Sequence, residues 1–229
     1  MRRRNFFAAL FWLLSGCHTS ATSQRRVVLI GDSTVADFPA SSSPMTGWGQ
    51  ELRQILHTRA KVLNFAVPGS STRRFAERYW PGVRSKLVAG DLLLIQFGHI
   101  DALPDTTRHT EPFADYSMLL QQFISESREM GAQPVLVTPV ARYKFEQGHL
   151  VDTHGNYPVA MRKIASINDV PLIDLTKASS QALEQLGESR ARAWFMLSHD
   201  GRDAVHLNRS GALEVAGIVQ KALVQAQLL

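Results

Sequence analysis

The chain has 229 residues, 45% hydrophobic and 20% charged, which is the balance of a globular protein with a real core and the length of one domain, at most two. The formal net charge is +5, but Arg2, Arg3 and Arg4 supply much of it, and no basic stripe with interleaved aromatics follows, which excludes a dedicated nucleic-acid binder. Cys17 is the single cysteine, so an internal disulfide is excluded as well.

The N-terminus reads as a targeting segment. "MRRRN" is a cationic start and "FFAALFWLL" an apolar stretch too short to span a bilayer, which is the pattern of a signal peptide. Leu14 to Cys17, "LSGC", resembles the bacterial lipobox. That resemblance implies a lipoprotein signal over residues 1–16, cleavage before Cys17 and lipidation of Cys17. Residues 17–25 then form a polar tether to the membrane. His18 after the cysteine, where an Asp would be associated with inner-membrane retention, points to the outer membrane of a bacterial cell envelope. The alternative is cleavage elsewhere, which leaves a secreted or periplasmic protein.

From residue 26 to 229 the pattern is that of one domain. The first apolar run is "VVLIGDS" at 27–33, followed by "KVLNFAV" at 61–67 and "DLLLIQFG" at 91–98. A helical stripe comes next over 113–130, carried by Phe113, Tyr116, Leu119, Leu120, Phe123, Ile124 and Met130. "PVLVTPV" at 134–140 precedes a helix over 156–169, and "VPLIDL" at 170–175 precedes helices over 176–187 and 210–228. Five continuous apolar runs alternating with helices predict a doubly wound α/β fold with a buried parallel sheet. In such a sheet the strand ends share one edge, so Ser33, the Gly69 region and His99–Asp101 can converge.

Each of these strand ends carries polar residues. "GDST" at 31–34 offers Ser33 as a nucleophile at a turn; its plainer role is a helix cap from Asp32 or Ser33. A serine nucleophile needs a base and an oriented base needs an acid. "DAVH" supplies both: Asp203 and His206 stand three residues apart, with Asp200 as a rival acid. Ser210 is a candidate cap for the last helix. "NFAVPGSS" at 64–71 places Gly69 where the backbone can approach a ligand and donate an N–H. "FGHIDA" at 97–102 puts His99 and Asp101 at the third strand end, with the hydrocarbon of Ile100 between them.

Together these segments resemble the GDSL, or SGNH, hydrolases, and within them the rhamnogalacturonan acetylesterase branch. "GWGQ" at 47–50, "NFAVPGSSTRRF" at 64–75, residues 142–165, "VPLIDLT" at 170–176 and "DAVHLNRSGA" at 203–212 carry the resemblance. It implies a three-layer α/β/α sandwich around a five-stranded parallel sheet, the flavodoxin-like SGNH hydrolase fold. It also implies deacetylation of a polysaccharide, acetylated pectin in particular, with no metal or other cofactor. Ser33 is then the nucleophile, His206 its base and Asp203 the partner of the base. The N–H groups of Ser33 and Gly69 are the oxyanion donors. The branch usually reads G-H-N-D where this chain has "GHID". Ile100 therefore replaces an amide donor, and His99 or a water is the candidate substitute.

Substrate recognition is less legible. Arg73, Arg74, Arg78 and Arg84 could attract a uronic-acid polymer or could form a solvated helix face. Trp48, Tyr79 and Trp80 could stack on sugars or fill the core. Two other functions fit the same segments: a lipase or thioesterase of the superfamily, and a lipid-anchored glycan-binding protein with a relic triad.

Overall fold

A computed structural model describes residues 24–104 and 107–229. The expected signal peptide, Cys17 and most of the expected tether lie outside the described residues. The chain runs β1 (Arg25–Gly31), α1 (Trp48–Leu56), β2 (Ala60–Asn64), α2 (Thr72–Arg78), α3 (Trp80–Arg84) and β3 (Leu92–Gln96). Then come α4 (Ser117–Glu129), β4 (Gln133–Val137), a small hairpin of β5 (Phe145–Glu146) and β6 (His149–Leu150), and α5 (Tyr157–Ile167). The last part is β7 (Leu172–Ile173), α6 (Leu175–Leu186), the short α7 (Glu188–Ala191) and α8 (Leu197–Asp200), and α9 (Arg209–Gln225).

Five strands form one parallel sheet in the order β2-β1-β3-β4-β7. The apolar runs are continuous because both faces are covered. Val27, Leu29, Leu92, Leu94, Val135 and Val137 pack with α1, α6 and α9. Val28, Ile30, Leu93, Ile95 and Leu136 pack with α2, α3, α4 and α5 on the other side. Alternation of side chains along a strand divides each run between two cores. The architecture is the expected three-layer α/β/α sandwich.

Local chemistry departs from expectation in three places. Phe113 is 55% exposed while Tyr116, Leu120, Phe123 and Ile124 are buried. A wide π-type turn over Pro112–Tyr116 changes the residue period just before α4 begins, so the stripe loses its first member. The last helix is capped by Asn208, whose side chain accepts the Gly211 N–H, and Ser210 lies inside the first turn. No helix follows Ser33 directly. Asp32 Oδ1 accepts the Thr34 N–H at 2.9 Å, an Asx turn that swings the chain over the edge of the sheet.

Candidate active site

The turn that carries Ser33 is held from below by a buried polar network. Asp32 Oδ1 also accepts the Thr34 hydroxyl at 2.7 Å, Gln96 donates to Thr34 Oγ1 at 2.7 Å, and Trp48 Nε1 donates to Gln96 Oε1 at 2.8 Å. The Trp48 N–H reaches the Thr34 carbonyl at 2.8 Å. This explains "GWGQ". The start of α1 presses on the segment after Ser33 so closely that a Cβ on Gly49 would lie 2.5 Å from the Val35 carbonyl oxygen. Only glycine permits that contact. Trp48 is therefore a strut under Ser33, and Trp80, whose Nε1 donates to Glu126 at 2.8 Å, is likewise buried. Neither ring is available to stack on a sugar.

Ser33 is 6% exposed. Its Oγ lies 2.9 Å from His206 Nε2, and His206 Nδ1 lies 2.7 Å from Asp203 Oδ2. The remaining oxygen, Asp203 Oδ1, accepts the N–H groups of Val205 and His206 at 3.0 and 2.9 Å. Burial pushes the Asp203 carboxyl up, but those two N–H groups and the His206 ring outweigh it and hold the group below the ordinary carboxylate range. An ionised Asp203 can only accept, so Nδ1 carries the proton toward it and Nε2 presents a lone pair to the serine. Asp200, the rival acid, accepts the N–H groups of Arg202 and Asp203 at 2.8 and 2.9 Å and shapes the loop instead.

The second strand end comes to the same edge. The Val67 N–H reaches the Gly31 carbonyl at 3.0 Å, and the Ser70 N–H closes a turn onto Val67 at 3.2 Å. Gly69 occupies that turn at φ +72°, a left-handed conformation that side chains other than glycine's adopt only at a cost.

The third strand end is more tightly locked than the sequence suggests. His99 is 2% exposed, with Nδ1 3.1 Å from Asp32 Oδ2 and Nε2 3.1 Å from the Val140 carbonyl. Both ring nitrogens are thus engaged inside the protein, and neither is left for an oxyanion. His99 is a brace between the first and third strand ends. Burial pushes the Asp32 carboxyl up, but the charge and hydrogen bond of His99 and the bonds from Thr34 hold it below its ordinary value. The His154 ring meets His99 edge-on at 4.8 Å. Burial, then the charges of His99 and Arg142, push His154 well below the ordinary imidazole range.

Asp101 is also a fastener. Its Oδ1 accepts the Thr72 N–H at 3.0 Å, the Thr72 hydroxyl at 2.5 Å and the Thr110 hydroxyl at 2.7 Å, while Oδ2 is buried without a partner. Burial pushes this carboxyl up to about 6 against those bonds. Ile100 lies in the turn between these two locked residues, half-buried and outside both hydrophobic cores. Its side chain offers no hydrogen-bond donor. The arginines after β2 are not one free patch: Arg73 pairs with Asp115 at 2.7 Å, and Arg84 with Glu126 at 3.5 Å and Glu129 at 2.9 Å. Among the described residues, no three His, Cys, Asp or Glu side chains converge on a metal position.

A serine, a histidine and an aspartate in one hydrogen-bonded line, at the C-terminal edge of a doubly wound parallel sheet, define the class: an α/β protein arranged as a serine hydrolase. The chain belongs to the GDSL-like lipase/acylhydrolase family, whose profile matches residues 29–212. It is similar to rhamnogalacturonan acetylesterase RhgT of Bacillus subtilis, with 38% identity over 89% of this chain and 91% of that protein. Among solved structures it superposes on YxiM of Bacillus subtilis with a TM-score of 0.79 and 27% identity, covering 90% of this chain. This chain spans 57% of that longer protein. The acetylxylan esterase Axe2 of Geobacillus stearothermophilus shares the fold at a TM-score of 0.65 and 19% identity, over 88% of this chain and 93% of that one.

Proposed function

We propose that the protein is a serine esterase that removes acetyl groups from a polysaccharide, with acetylated rhamnogalacturonan as its substrate. The observation that carries the chemistry is the line from Ser33 Oγ through His206 to Asp203, at 2.9 and 2.7 Å. The likeness to RhgT along nearly the full length of both chains supports the choice of ester. Ser33 attacks the acetyl carbonyl as Nε2 of His206 takes its proton. Asp203 keeps the ring in the reactive tautomer and stabilises the imidazolium. The N–H groups of Ser33 and Gly69 receive the oxyanion. His206 then protonates the departing sugar hydroxyl, which leaves an acetyl ester on Ser33. A water deprotonated by His206 attacks that ester, and collapse of the second tetrahedral intermediate releases acetate and restores Ser33. With Ile100 in place of an amide, one donor is missing, which slows the reaction about 100- to 1,000-fold against a site with all three.

The placement of this chemistry rests on the leader. The cationic and apolar start, "LSGC" and the polar stretch before β1 support a lipoprotein tethered through Cys17 at the outer membrane, within reach of polysaccharide fragments. Acetate release from acetylated rhamnogalacturonan and from acetylated xylan, measured for wild type and Ser33→Ala, tests the function. The proposal expects release from rhamnogalacturonan that the substitution abolishes. Release that survives in Ser33→Ala, or none from that polymer in wild type, refutes it.

A further inference from the structure

A small pocket of about 160 Å³ lies behind the third strand end, framed by the chain leaving β4, by β6 with the loop after it, and by the start of α6. None of Ser33, Gly69, Ile100 or His206 lines it, so it is a different place from the candidate active site. Arg142 and His154 do line it, and each brings a nitrogen without a partner. His154 is 3% exposed and its Nε2 is buried with nothing to bond. Arg142 Nε is buried and unpartnered as well. Buried polar atoms in folded proteins are nearly always hydrogen-bonded, so two orphans on one small pocket ask for a ligand.

The charge lacks a partner too. Arg142 Nη2 donates to the His99 carbonyl at 3.0 Å and Nη1 to the Thr153 carbonyl at 3.4 Å. The half-buried guanidinium thus meets carbonyls and pairs with no carboxylate among the described residues. Burial pushes it down, and the charge that opposes burial is that of Asp32, which already faces His99 at 3.1 Å. Asp152 is the one carboxylate on the lining among the described residues. It is exposed at the rim, and its Oδ1 accepts the His154 N–H at 2.9 Å. Ala141, Leu150 and Val151 supply apolar wall. The pocket therefore combines an uncompensated cation, two unpaired nitrogens and a hydrocarbon surface.

We propose that this pocket binds a short aliphatic carboxylate of acetate size, one oxygen taken by the Arg142 Nε–H and the other by the His154 Nε2–H, with the carbon end against Leu150 and Val151. A carboxylate answers the unpaired guanidinium. The hydrocarbon wall favours it over inorganic phosphate, which would press charged oxygens onto that wall. At about 30 Å³ per water, 160 Å³ is room for roughly five waters, enough for acetate or propionate and too little for a sugar chain. Acetate is what the esterase reading has the enzyme release; the source of the ligand rests on that reading, and the site does not. The bound carboxylate also braces His99 from behind, since Arg142 holds its carbonyl and the His154 ring meets its ring at 4.8 Å.

Calorimetric titration of the protein with sodium acetate at constant ionic strength tests this, with acetamide and inorganic phosphate for comparison. One acetate binds per chain with a Kd of about 0.1 to 10 mM, the range open to so small a ligand. Acetamide and phosphate bind at least about tenfold more weakly, and acetate raises the unfolding temperature. His154→Phe keeps a ring against His99 and removes Nε2, whereas Val151→Phe fills the space and leaves both nitrogens in place. Each weakens acetate at least about tenfold. No saturable acetate binding in wild type, binding that both variants retain, or phosphate that binds as tightly as acetate overturns the site. The predicted binding pattern in a protein that releases no acetate from any acetylated polysaccharide upholds the site and counts against the esterase reading alone.

Discussion

Replacing His99 by Phe separates a brace from a pocket donor. Asp32 is fully buried and His99 nearly so, with 3.1 Å between carboxylate and ring. The substitution preserves most of the ring volume but leaves Asp32 Oδ2 and the Val140 carbonyl without their hydrogen bonds. Removing one partner of a buried charged pair costs about 3–5 kcal/mol, a large share of the roughly 5–15 kcal/mol that holds a domain folded. With a urea m-value of about 2–3 kcal/mol/M for a protein of this size, the midpoint falls by roughly 1–2 M. Urea titration followed by tryptophan fluorescence reads this directly. A double-mutant cycle with Asp32→Asn assigns the loss to the pair, because the two substitutions together cost less than their sum. A loss of under about 1 kcal/mol of stability in His99→Phe, together with a roughly 100-fold drop in esterase activity, contradicts the brace, since that pattern belongs to a residue working on the oxyanion.

Two further predictions concern the same strand end. Ile100→Asn returns an amide donor to the turn and raises kcat on p-nitrophenyl acetate at least about tenfold; steady-state kinetics with an unchanged or lower rate contradict the placement of residue 100 at the pocket. Asp101, pushed up to about 6 from an ordinary 3.8, binds more protons folded than unfolded across that window. Stability on its account therefore falls as pH rises, by on the order of 1 kcal/mol between pH 5 and pH 8. Asp32 and Asp203 are held below 3.8, so their contributions are present above that pH and are lost only on further acidification. Asp101→Asn flattens the slope between pH 5 and pH 8; urea midpoints that keep the wild-type difference argue against this carboxyl as its source.

The parts legible in the sequence were those with a local signature. Val27–Ile30 and Leu92–Ile95 are buried on both faces, so their composition alone reveals strands of a parallel sheet. Asp203 and His206 lie three residues apart, and the span of the pair is set by one turn of chain. Long-range contacts were not legible. His99 looked like a pocket residue because nothing in "FGHIDA" shows that Asp32, 67 positions earlier, and Val140, 41 positions later, take both its nitrogens. For Trp48 and Trp80 the sequence allows a sugar platform or core packing, and the distant acceptors Gln96 and Glu126, which take their N–H groups, decide for the core.

The central claim is that Ser33 is a nucleophile activated by His206. Intact-mass analysis after treatment with a phosphonylating ester probe, with the adduct mapped by proteolysis, tests it most directly. One adduct per chain on the peptide containing Ser33, lost in Ser33→Ala and slowed by orders of magnitude in His206→Ala, is the predicted result. An unlabelled protein, or an adduct on a different residue, contradicts the claim.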